Sequence, residues 1–189
     1  MQRIIRSMEE RYLLPSLELV REVFSRACDE REGETVARLV EEIRSKRYYL
    51  PELELVMLDG AESVVGYAMF SRFHIEGRYE DELLLLSPVA VKTELQRRHI
   101  SRDLIEHGCE KAAKMGFRAC LVEGNPANYN PRGFYTSAGF GVVAGPGIHL
   151  PRVECLMLKE LVPGGAEGIR GVVDYSFYEA LAPQEPSLP

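Results

Sequence analysis

Val89-Ala90-Val91-Lys92-Thr93-Glu94-Leu95-Gln96-Arg97-Arg98-His99-Ile100-Ser101 joins an apolar run to an amphipathic one, and the reading of the whole chain grows from that joint. Before it, residues 83–91 are apolar throughout except for Ser87-Pro88, as a strand covered on both faces would be. Pro88 has no N–H to give to a ladder, so a bulge or a parting of the strand is expected there. After the joint, Ile100, Leu104, Ile105, Gly108, Ala112 and Met115 recur on one helical face, which predicts a helix over 100–115 with Gly116 as its stop. Residues 119–122 form a second short apolar strand. Strand, helix and strand in that order make a crossover, so the two strands lie close to parallel.

Chemistry is expected at the start of that helix. A helix N-terminus offers unpaired N–H groups and the positive end of the peptide dipoles, which together suit a phosphate. Lys92, Arg97, Arg98 and Arg102 add local positive charge. These features imply an anion site without naming the anion.

Working outward, residues 15–27 and 35–43 carry apolar residues at helical spacing, and 53–58 and 64–73 read as two strands around Asp59-Gly60. Residues 132–138 suggest a short helix ending at Gly139, with strands at 140–144 and 153–158. The fold class is α/β with α+β character. The expected organisation is one domain over 1–162, then an extension over 163–189 with an extra strand and a loose proline-rich tail from Pro183 onward.

A net charge of −6 argues against general nucleic-acid binding. No apolar run approaches the ~20 residues of a membrane span, and the first residues lack the apolar core of a secretory signal, so a cytoplasmic location is expected. Cys28, Cys109, Cys120 and Cys155 are scattered, with no CxxC pair. Neither a metal cluster nor a disulfide framework is expected, and Cys120 reads as a small buried hydrophobe.

The joint resembles the cofactor-binding motif of the GNAT N-acetyltransferase superfamily, in which a strand ending in a Leu-Ala-Val-like triplet runs into (Gln/Arg)-x-x-Gly-x-(Gly/Ala). Here the triplet is Val89-Ala90-Val91 and the signature is Gln96-Arg97-Arg98-His99-Ile100-Ser101. His99 replaces the first glycine and Ser101 the last small residue. A left-handed backbone at 99 would tax a histidine; a helical one would let the side chain turn outward. A second likeness is Asn128-Tyr129-Asn130-Pro131-Arg132-Gly133-Phe134-Tyr135-Thr136-Ser137-Ala138-Gly139-Phe140. It matches the family's Asn-x-x-Ala-x-x-(Leu/Phe)-Tyr-x-x-x-Gly-Phe at Asn128, Phe134, Tyr135, Gly139 and Phe140. Val65-Gly66-Tyr67 resembles the family's third strand, and residues 156–164 followed by 171–175 resemble the tail of a bacterial GNAT group related to YhbS.

The resemblance implies a central twisted mixed sheet of about six to seven strands with helices on both faces. It also implies that acetyl-CoA is the cosubstrate, no metal is used, and an amine is the acceptor. Val89, Ala90 and Val91 would hold the pantetheine arm, with the Val89 N–H facing the thioester oxygen. Gln96, Arg97, Arg98, His99, Ile100, Ser101 and Arg102 would cradle the diphosphate, and Asn128 would touch the cofactor. Tyr135 would protonate the departing thiolate. Glu123 is a candidate base acting through water, with Glu82 and His74 as rivals. Residues 73–82 are candidates for lining the acceptor pocket. A non-catalytic acyl-CoA-binding regulatory module is the alternative. No nucleic-acid or membrane partner is expected, and the oligomeric state, a homodimer included, is left open.

Overall fold

Leu83, Leu84, Leu85, Leu86 and Ala90 of β4 (Leu83–Val91) are each at most 4% exposed. Leu83 and Leu85 face one core cluster while Leu84 and Leu86 face another. The apolar run is therefore the two-faced central strand that its sequence predicts. Those faces appear in a computed structural model that describes residues 3–182.

β1 (Ile4–Ser7), β2 (Glu54–Leu58), β3 (Val64–Arg72), β4, β5 (Ala119–Glu123), β6 (Tyr135–Thr136) and β8 (Leu156–Glu160) form one sheet in the order β1-β2-β3-β4-β5-β8-β6. Every neighbouring pair is antiparallel except β4 and β5, which are parallel, as the crossover requires. β7 (Val142–Ala144) and β9 (Gly171–Val173) make a separate parallel pair. Helices α1 (Glu10–Ala27) and α2 (Glu30–Ser45) cover one face through Leu17, Val20, Val36, Val40 and Ile43. Helix α3 (Ile100–Lys114) covers the other through Ile100, Leu104, Ile105, Cys109 and Ala112. The expected mixed sheet with helices on both faces is thus present.

Two glycines let α3 sit close against the sheet. A Cβ at Gly108 would lie 2.2 Å from Cε2 of Phe70, and one at Gly66 would lie 2.4 Å from Cγ2 of Ile100. On the opposite face, Glu54 is fully buried and accepts hydrogen bonds from Arg44 Nε (2.9 Å) and Nη2 (2.6 Å), Tyr49 Oη (2.6 Å) and Tyr67 Oη (2.5 Å). Four donors compensate one buried charge, tying α2 to β2 and β3.

Several elements differ from the sequence expectation. Both N-terminal helices begin earlier: α1 contains Pro15 inside it, and α2 starts after Asp29, whose side chain caps the Glu32 N–H at 2.8 Å. β1 was not foreseen, being four residues with alternating partial burial at a sheet edge. The helix expected over 132–138 does not form. A 3-10 turn at Asn130–Arg132 stops at Gly133 (φ 81°), and the chain then extends into β6. Glycine's freedom at positive φ ends the turn there. The core also continues past residue 162: Ala166, Ile169, Val173, Tyr178 and Ala180 are buried against the α1–α2 face. Glu42 of α2 accepts the N–H groups of Glu179 (2.9 Å) and Ala180 (2.7 Å). The expected loose tail, 183–189, lies outside the described residues.

Candidate active site

The site begins where β4 and β5 separate. They pair at Leu83↔Ala119, Leu84↔Cys120 and Leu85↔Leu121 and no further. On its other side, β4 places Leu86 opposite Phe70 but Val89 opposite Ala68, so three steps on β4 match two on β3. The extra residue falls at Ser87-Pro88, where proline cannot serve the ladder. β5 meanwhile continues with β8 through Glu123↔Leu156. The upper halves of β4 and β5 form a fork, and β5 offers no partners to β4 from Leu86 to Val91.

From the top of β4 the chain passes a 3-10 turn at Thr93–Leu95 and enters α3. Arg97 (φ 62°) and His99 (φ 66°, ψ 6°) are both left-handed. Of the two backbones open to His99 in the sequence, the costlier one is adopted, with the side chain exposed. The N–H groups of residues 97–102 have no acceptor among the described residues, and the helical ladder starts only with Asp103 N–H to His99 O at 2.9 Å. Arg3 Nη1 braces the turn by donating to Arg98 O at 2.9 Å.

This turn borders a cleft of about 590 Å³, lined on one side by Val89, Val91, Gln96, Arg97, His99, Ile100, Ser101 and Ile105. Val23 of α1 also borders it, as do Asn128, Tyr129 and Arg132 in and after α4 (Pro126–Tyr129). Among the described residues no acidic side chain lines it, although the chain carries a net charge of −6. Of the expected basic cluster, only Arg97 lines the cleft. Lys92 pairs with Glu94 at 3.3 Å, Arg102 pairs with Asp103 at 3.0 Å, and Arg98 lies outside the lining. Ala90, between the lining residues Val89 and Val91, is 1% exposed and does not itself line the cleft.

Tyr135 is elsewhere. It lies in β6 opposite Leu158, is 60% exposed, and its hydroxyl has no hydrogen bond among the described residues. Glu123 ends β5 and borders a second cavity of about 430 Å³ with Asn125, Arg152 and Cys155. Its carboxyl touches solvent, yet the surrounding protein desolvates it enough to raise its pKa above the ordinary value. The rivals are engaged in structure. His74 stacks on Phe177 with centroids 4.4 Å apart, and Glu82 is paired with Arg118. Both flank the start of β4, where Phe73 N–H meets Leu83 O at 2.9 Å. That end is about 20 Å along the strand from Val89 at 3.3 Å per residue. Burial pushes the Cys109 thiol up to about 11, which makes it a poor nucleophile.

A model of the acetyltransferase (GNAT) family matches residues 17–140. The chain belongs to the GNAT family. It is 27% identical over 146 residues to the uncharacterized N-acetyltransferase YhbS of Escherichia coli K12, covering 76% of this chain and 83% of that one. The crystal structure of E. coli YhbS in complex with CoA superposes with a TM-score of 0.80 at 23% identity, over 93% of this chain and 90% of that one. A Brucella melitensis GNAT acetyltransferase in complex with acetyl-CoA gives 0.61 at 25% identity, over 70% and 82%.

Two residues around this GNAT fork, Arg132 and Tyr175, escaped the sequence reading, while Tyr129 takes the turn-packing role its sequence position suggests. Arg132 lines the cleft with its Nε buried and without a partner among the described residues; the only available signal was its place inside the Asn128–Phe140 motif. Tyr129 packs edge-on against Phe134, with centroids 5.6 Å apart, and burial pushes its phenol up to about 12. Tyr175 comes from beyond residue 162 and packs on the sheet face that carries Leu121, the face toward which Glu123 also alternates. Its buried hydroxyl has no partner among the described residues, and burial followed by the nearby Glu123 charge raises its pKa. No sequence periodicity could have brought Tyr175 there.

Proposed function

We propose that this chain is an acetyl-CoA-dependent N-acetyltransferase acting in the cytoplasm on a primary amine of a small molecule or protein. The observation that carries the reading is the fork that ends in the unpaired N–H groups of residues 97–102, bordering a cleft without acidic lining. Unpaired amides at a helix start are suited to a diphosphate, and the uncovered edge of β4 is suited to the amides of a pantetheine arm. Relatives crystallised with CoA or acetyl-CoA share the fold.

In this reading the backbone of Val89, Ala90 and Val91 holds the arm, and the Val89 N–H stabilises charge developing on the thioester oxygen. The amides of Arg97 to Arg102 bind the diphosphate, with the Gln96 side chain beside them and Asn128 touching the cofactor from the other wall. Glu123, through a water, takes the proton from the acceptor amine as its nitrogen bonds to the acetyl carbon. The C–S bond then breaks, and Tyr135 protonates the leaving thiolate. The exposure of Tyr135 favours a second reading, a non-catalytic acyl-CoA-binding regulatory module.

Calorimetry with CoA and thiol release with an amine panel separate the two. Binding and turnover support the enzyme, with Tyr135→Phe lowering kcat by about 10²-fold. Binding without any turnover supports the module, and no CoA binding defeats both.

A further inference from the structure

We propose that Arg132 is a second anion subsite in the cleft, which reads the phosphate monoester on the ribose of CoA rather than its diphosphate. The inference rests on the CoA-binding reading above and adds a determinant of which CoA derivatives bind.

Arg132 stands out for what it lacks. Its Nε is shut off from water without an acceptor, and the side chain makes no ion pair among the described residues. A buried N–H of a permanently charged guanidinium is costly unless an anion completes it. In this chain the other guanidiniums near carboxylates take them: Arg44 binds Glu54, Arg47 binds Glu80 and Arg118 binds Glu82. Arg132 instead borders the cleft that no acid lines.

Its position is held by the backbone. Arg132 closes the 3-10 turn at Asn130–Arg132, Gly133 follows in the left-handed region, and Lys159 Nζ donates to Arg132 O at 2.6 Å. The ammonium of Lys159 also sits 5.7 Å from the Phe134 ring, which is fully buried. A pinned main chain presents the guanidinium to the cleft without the entropic cost of a free surface arginine.

The cleft's anion donors therefore come from two separate segments. The open amides of 97–102 together with Arg97 form one set, and Arg132 with Asn128 forms the other. CoA carries two anionic groups, a diphosphate and a ribose 3′-phosphate. The amides match the bridging diphosphate, which needs several N–H donors along its length. The planar guanidinium matches the compact terminal phosphate, which it can bind through two N–H groups at once.

The test compares CoA with 3′-dephospho-CoA by isothermal titration on the wild type, Arg132→Gln and Arg132→Lys, with thermal melts to confirm folding. The wild type is expected to prefer CoA by on the order of 10-fold or more, from charge-assisted hydrogen bonds. In Arg132→Gln that ratio falls to within about two-fold of unity, while Arg132→Lys keeps part of it, since lysine retains the charge without the fork. Adenosine 3′,5′-bisphosphate should compete less well against Arg132→Gln than against the wild type, with ADP unchanged between them. A wild type that binds CoA and dephospho-CoA equally overturns the subsite and leaves the CoA reading standing. So does an Arg132→Gln variant that weakens both ligands by the same factor. A folded wild type that binds neither ligand removes the CoA reading, and the subsite with it.

Discussion

Replacing His99 by glycine tests the backbone on which the anion site rests. His99 has φ 66° and ψ 6°, and its side chain is exposed and forms no capping hydrogen bond. Its carbonyl accepts the Asp103 N–H, a main-chain bond that glycine keeps. The left-handed region costs an L-residue about 1–2 kcal/mol, and histidine pays toward the lower end because it visits that region more readily than most. Glycine removes this strain but returns roughly 0.5–1 kcal/mol through its greater freedom in the unfolded chain. The difference favours His99→Gly by up to about 1 kcal/mol, which for a chain of 150–250 residues raises Tm by up to about 2–4 °C. His99→Val, β-branched and unsuited to positive φ, should lose at least about 1 kcal/mol and melt correspondingly lower. Thermal unfolding by circular dichroism ranks the three, and calorimetry with CoA runs alongside. Binding by His99→Gly should equal or exceed that of the wild type, because the amides of the turn stay and the side chain leaves. A glycine variant that melts several degrees below the wild type, with valine tolerated, would refute the left-handed turn and the anion site drawn from it.

Three further outcomes follow from the packing and the charges. Arg44→Ala leaves the fully buried Glu54 with only Tyr49 and Tyr67 as donors. Stranding such a charge costs about 3–5 kcal/mol, so Tm should fall by roughly 6–20 °C, and a loss of under 2 °C would contradict the network. Gly108→Ala gains up to about 1 kcal/mol of helix propensity. It also drives a Cβ to 2.2 Å from the ring of the fully buried Phe70. Overpacking of about 1–3 kcal/mol should prevail, and denaturant unfolding will show the sign. Glu123 carries a carboxyl raised by desolvation, so its base form appears only above a pKa higher than 4.5. The acid limb of kcat/KM should lie correspondingly high, and Glu123→Gln should abolish that limb and lower the plateau by about 10²-fold. For stability the sign reverses. The native state holds this proton more tightly than the unfolded chain, so stability is lost as pH rises from 4.5 through the raised value. Glu123→Gln should therefore be no less stable than the wild type at pH 7.

The crossover of β4, α3 and β5 was legible in the residues alone, because each part rests on neighbours along the chain. A run of leucines needs cover on two faces, a 3.6-residue period needs one face covered, and Pro88 cannot serve a ladder wherever it sits. The fork and the helix start that faces it follow from those local facts, and the family motifs fall on them. The sign of φ at His99 was the first question that local pattern could not settle, since histidine tolerates either backbone and only the closure of the turn chooses. The active members of the basic cluster were the second. Lys92 and Arg102 are drawn to Glu94 and Asp103, Arg97 stays in the cleft, and Arg132, from outside that cluster and without an ion pair among the described residues, joins it there. Tyr135 was read as helical, but Gly133 ends the turn and pairing with β8 extends the chain, so its side chain emerges on the exposed edge. Tyr175 reaches the Glu123 side because residues 166–180 join the same core and Glu42 of α2 holds the Glu179 and Ala180 N–H groups, a contact between segments more than 130 residues apart. Periodicity and motif report what a segment needs. Partners brought together from distant parts of the chain decide which charges are spent on each other and which remain for a ligand.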